Sequence, residues 1–149
     1  MLVLVVGLLA YVLVLSLVCG AALVLGGRSE RQAAGALLAA AALTQIAALL
    51  GPHWRGPEYG VMIVDACLLV VMIGIAHNSL RFWPIWAAGA QLAGTVTHLL
   101  PVLGRVPKWL YASAQPFWAF PLLGAIAWGV TAETRARRSS NAGERSQYA

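Results

Sequence analysis

Apolar residues run along this chain in five long blocks, separated by four short breaks rich in polar residues, glycine and proline. The blocks are approximately Leu2–Leu25, Ala33–Leu50, Tyr59–Ala76, Trp83–Leu103 and Trp109–Val130. Each is close to the ~20 apolar residues an α-helix needs to cross a hydrocarbon core. Between them stand Gly26-Gly27-Arg28-Ser29-Glu30-Arg31, the stretch Gly51 to Pro57, His77-Asn78-Ser79-Leu80-Arg81, and Gly104-Arg105-Val106-Pro107-Lys108. Such punctuation marks turns. The pattern predicts an all-α, polytopic helix bundle over residues 1–130 with five transmembrane helices. Residues 131–149, polar and rich in Arg and Ser, are expected to form a disordered basic tail.

Composition narrows the class. Hydrophobic residues fill 60% of 149 positions and charged residues 10%, with a mean hydropathy of +0.78. A soluble domain of this size has too little interior to cover that much apolar surface, whereas a bilayer covers it. The first block has no basic region before it and is too long for a signal sequence, so an uncleaved first helix is expected. Two cysteines, Cys19 and Cys67, are too few for a disulfide framework. The net charge of +5 comes from residues scattered through short loops and the tail, a spread that argues against nucleic-acid binding.

Those basic residues set an orientation. Arg28, Arg31, Arg81, Arg135, Arg137, Arg138 and Arg145 fall on one side of a five-span bundle, and Arg55, Arg105 and Lys108 on the other. The positive-inside bias puts the N-terminus outside and the C-terminus in the cytoplasm. An arginine-, alanine- and glycine-rich composition fits a GC-rich bacterial source, and hence the bacterial inner membrane. Trp54, Tyr59, Trp109 and Tyr111 are expected at the outer interface, with Phe82, Trp83 and Trp86 at the inner one.

Asp65 is the one carboxylate inside the apolar blocks. A carboxylate at mid-membrane costs roughly 2.5–3.5 kcal/mol on insertion scales, so it calls for a partner or a task. Helical rise puts Asp65 roughly 9 Å below the outer boundary, with His98 at about 8 Å and Gln115 at about 9 Å. Thr44 and Gln45 reach a similar depth from the second block. Gln91, Gly94, Thr95 and His98 follow i, i+3, i+4, i+7 spacing and share one stripe, while Tyr111 and Gln115 share another face. Lipid cannot satisfy such side chains, so the stripes should face inward. A polar layer of Asp65, His98, Gln91, Thr95, Gln115, Gln45 and Tyr111 is therefore the candidate site. It reads either as interhelical glue or as a proton-titrating pocket for a ligand.

Other chemistry finds little support. His77 and His98 lie at opposite ends of the bundle and cannot ligate one ion, and no zinc-like spacing occurs. His77 and Arg81 are expected to cap the inner end, with a headgroup phosphate as contact. A Ser113/His98/Asp65 triad has the depths but no Gly-x-Ser-x-Gly signature. Gly35-x-x-x-Ala39, Gly89-x-x-x-Ala93, Ala90-x-x-x-Gly94 and Ala125-x-x-x-Gly129 permit close helix approach, within the bundle or between copies.

Without a catalytic motif, the leading expectation is a small non-enzymatic accessory or scaffolding subunit of a membrane complex, or a homo-oligomer. The alternative is a small transporter or a binder of quinone, lipid or pigment, its outer-leaflet pocket built around Asp65 and His98. The partners expected are the lipid bilayer, a membrane protein or second copy, and a lipid or quinone ligand. The sequence names no cofactor.

Overall fold

The computed structural model describes residues 2–50, 59–99 and 117–147. These residues form five helices: α1 Leu2–Leu25, α2 Arg28–Leu50, α3 Tyr59–His77, α4 Trp83–Thr97 and α5 Ala119–Gln147. There is no strand among the described residues. The segments around Gly51–Pro57 and Trp109–Pro116, with the expected outer aromatics Trp54, Trp109 and Tyr111, lie outside them.

Each helix packs on its neighbours in sequence, and α1 closes against α5 to complete a ring. Neighbours run antiparallel. A Cβ on Gly60 of α3 would meet the Ala47 side chain of α2. On α4 and α5, Trp83 lies against Gly129 while Gly94 lies against Trp118. The closing pair runs parallel instead: Tyr11 meets Phe120 edge-to-face at 6.5 Å, and Gly27 lies beside Glu133. An odd number of alternating helices makes this parallel closure necessary.

The interior is narrow, lined by Leu15, Cys19, Leu37, Met72, Ala87, Leu122, Leu123 and Ile126 among others. Outward faces are strongly apolar. Leu13, Leu17 and Val24 on α1, Ile63 and Val70 on α3, Trp86 on α4 and Trp128 on α5 are all exposed. Cys67 is also exposed.

Several boundaries differ from expectation for identifiable reasons. The sequence pattern starts the second helix at Ala33, but α2 begins at Arg28. Glu30 sits in its first turn, where a carboxylate favours the helix dipole, and its own side chain is buried. Trp83-Pro84 opens α4, with proline at a position where a missing N–H costs nothing. The basic tail, expected to be disordered, instead continues α5 as helix through Gln147. Extending an existing helix avoids a new nucleus, and the Arg137–Glu133 pair at 2.8 Å supports the first added turn.

The five expected spans are not all matched in length and composition. Tyr59–His77, 19 residues at a mean hydropathy of 2.3, is the one described helix long and apolar enough to cross a membrane; Leu9–Leu25 is a shorter apolar stretch. The α2 helix carries Arg28 to Gln32 at its start, α4 has 15 residues, and α5 turns polar after Val130.

Candidate polar sites

Asp65 and His98 face each other across α3 and the end of α4. His98 Nε2 lies 2.7 Å from Asp65 Oδ2. Gln91, two turns earlier on the His98 stripe, donates from Nε2 to the Asp65 backbone oxygen at 3.2 Å and to Oδ1 at 3.4 Å. Both carboxylate oxygens thus have a partner. Antiparallel packing of α3 on α4 produces this meeting, because the seven-residue spacing of Gln91 and His98 keeps both on the face that α3 covers.

Exposure is uneven across the pair: the His98 side chain is 2% exposed and that of Asp65 23%. Gln91 is buried as well. Thr95 shares the stripe, but its hydroxyl donates 2.8 Å back to the Gln91 carbonyl and braces α4 rather than Asp65. Gln45 is exposed on α2, and Thr44 is half-buried. Gln115, Tyr111 and Ser113 lie outside the described residues.

A second polar cluster forms at the other end, where the α1–α2 turn, the α3–α4 loop and the middle of α5 converge. Glu30 is 1% exposed. Its Oε1 accepts from Arg81 Nη1 at 3.1 Å and from the Trp83 indole N–H at 2.9 Å. Arg81 Nη2 donates to Glu133, which also accepts from Arg137. The hydrogen bond from Arg81, then that from Arg137, holds the Glu133 carboxyl below the usual carboxylate range. The same bond to Glu133 is the main cause that raises Arg81 further.

Three glycines make room for this cluster. A Cβ on Gly26 would sit 2.6 Å from the Glu30 Cβ, and one on Gly27 2.9 Å from Glu30 Oε2. A Cβ on Gly129 would meet Trp83 Nε1 at 2.7 Å. Trp83 is therefore not the interfacial residue expected; it is buried, while Phe82 and Trp86 beside it are exposed.

Arg81, expected at a headgroup phosphate, is 40% exposed and has two carboxylate partners. Its guanidinium is committed to Glu30 and Glu133. His77 is exposed at the end of α3. Sequence reasoning missed Glu30 and Glu133 because both lie in segments that read as polar loop or tail. The signal was present in topology, since five alternating spans bring the first break, the third break and the start of the tail to one end.

The small-residue pairs also sort themselves. Gly94 and Gly129 are used inside the bundle, against Trp118 and Trp83, whereas Gly35 and Gly89 open outward with nothing within 4 Å of an added Cβ. Among the described residues, no buried side-chain nitrogen or oxygen lacks a hydrogen-bond partner, and no three His, Cys, Asp or Glu side chains converge on a metal position.

Among the described residues, fold and sites define a closed ring of five helices with a polar cluster near each end. No family model matches the chain, and neither the curated proteins nor the solved structures yield a match.

Proposed function

We propose that this chain is a multi-pass protein of the bacterial inner membrane, with five spans, an outer N-terminus and a cytoplasmic C-terminus. Its task is non-enzymatic: it serves as an accessory or scaffolding subunit, or assembles with copies of itself. One observation carries the reading. Buried Glu30 and His98 each bond an ionisable partner on another segment of the bundle, while bulky aliphatic and aromatic side chains face outward on all five helices.

Lipid and other membrane helices are the surroundings in which both halves of that arrangement are favourable. Short α4 and polar-ended α2 and α5 then span by placing Arg28 and the Arg135–Arg138 stretch at the inner headgroups. The outward glycines Gly20 and Gly89 let a neighbouring helix approach closely. Native mass spectrometry after mild detergent extraction is expected to give a multimer or a stoichiometric complex. A lone monomer under every gentle condition would overturn the scaffolding role.

The second reading, a transporter or quinone, lipid or pigment binder, draws on the 23% exposure of Asp65 beside a buried histidine. Under it, Asp65→Asn changes ligand retention or its pH dependence. Unaltered binding would remove this reading while leaving the first intact.

A further inference from the structure

At the inner end, α2 and α3 enclose an open cleft of about 910 Å³. Arg28, Arg31 and Gln32 line its polar end, and Gly35, Val71 and Gly74 line its apolar end. Arg28 and Gly35 are seven residues apart on one helix, so the two ends are separated by roughly 10 Å along the axis. No Asp or Glu lines the cleft. Glu30, between the two arginines in sequence, is buried among Arg81 and Trp83. Among the described residues neither Arg28 nor Arg31 has a carboxylate partner, so two cations stand at one end of an open groove whose other end is apolar.

Gly35 and Gly74 send no side chains into this groove, and a Cβ built on either meets nothing within 4 Å. Asn78 folds its side chain back onto the Gly74 carbonyl at 2.8 Å, keeping this polar group engaged near the mouth.

We propose that this cleft seats one anionic phospholipid, its phosphate between Arg28 and Arg31 and an acyl chain lying over Gly35 and Gly74. The chemistry is complementary at both ends: guanidinium forks suit phosphate oxygens, and the glycine-floored trough accepts a methylene chain without displacing a side chain. The volume lies within the usual range of small-ligand sites. This inference rests on the membrane reading above.

The test uses the full chain in nanodiscs of equal phosphatidylglycerol and phosphatidylcholine, with retained lipid counted by native mass spectrometry. Wild type is expected to retain one phosphatidylglycerol in preference to phosphatidylcholine. Arg28→Ala with Arg31→Ala lowers that retention by about tenfold or more. Gly74→Leu fills the trough and abolishes retention, with the unfolding midpoint unchanged because the space is open.

Arg135→Ala with Arg138→Ala removes the same charge elsewhere and is expected to leave retention intact. Equal retention of both lipids overturns the proposal, as does an equal loss in the Arg135/Arg138 control. Binding of inorganic phosphate that Gly74→Leu does not affect would make this a free-anion site and overturn the lipid seat. Alkaline carbonate extraction separates the two levels. Release of the chain into the soluble fraction overturns the membrane reading itself. A membrane-retained chain without lipid preference overturns the seat alone.

Discussion

His98 Nε2 sits 2.7 Å from Asp65 Oδ2, yet the histidine is almost wholly buried while the carboxylate keeps about a quarter of its side chain exposed. The pair thus ties α3 to α4 and leaves one member within reach of whatever lies beside the bundle.

If this pair acts as glue, its two halves are worth more together than apart. Asp65→Leu and His98→Leu are each expected to lower the unfolding free energy by about 1–3 kcal/mol, since each leaves a polar partner unsatisfied. The double variant should lose less than the sum of the two. Reversible unfolding in detergent, arranged as a double-mutant cycle, measures the coupling. Simple additivity would mean that the two side chains do not interact.

Gly129 and Gly89 should respond oppositely to the same change. Gly129→Ala drives a methyl group into Trp83 and loosens its bond to Glu30, with an expected loss of about 1–3 kcal/mol. Gly89→Ala meets open space and should be neutral or stabilising by about 0.5–1 kcal/mol, because alanine favours helix. Indole fluorescence should shift for Gly129→Ala alone.

Truncation separates an anchoring helix from a loose tail. A chain ending at Ala132 lacks Glu133 and frees one side of Arg81, so its thermal midpoint should fall. A chain ending at Ser140 keeps Glu133 and Arg137 and should melt with the full chain. Identical midpoints for both truncations would contradict the packing of Glu133 at this end.

Glu133 also predicts an acid limb of stability. Its folded pKa lies below its unfolded value, so its stabilising contribution is complete above the ordinary glutamate value of 4.5 and is lost as pH falls through the folded one. The unfolding midpoint should therefore drop on acidification below that value. Glu133→Gln should make the drop shallower. An unchanged acid profile in the variant would remove Glu133 from the account.

The meeting of Asp65, His98 and Gln91 was legible in sequence because depth and stripe follow directly from helical rise and spacing. Gln45 was misassigned because depth alone does not fix the rotation of a helix, and α2 turns that residue outward. Glu30 and Glu133 were hidden for a different reason. Polarity in a break or tail reads as solvent contact, and only the ring of helices shows that these carboxylates have a basic partner in common. Trp83 belongs with them: a tryptophan at an interface level looks like a belt residue until a glycine one helix away makes room for it.

The contact between Tyr11 and Phe120 joins the first helix to the last. A chain emerging N-terminus first can pair α1 with α2, α2 with α3, and α3 with α4 as each appears. It cannot close the ring until α5 has been made. Until then one flank of α1 and one flank of α4 stand without their native neighbour, with Trp83 and Glu30 lacking the cover that Gly129 and Glu133 bring. Closure of this ring therefore waits for α5, and a chain cut before it presents an open seam.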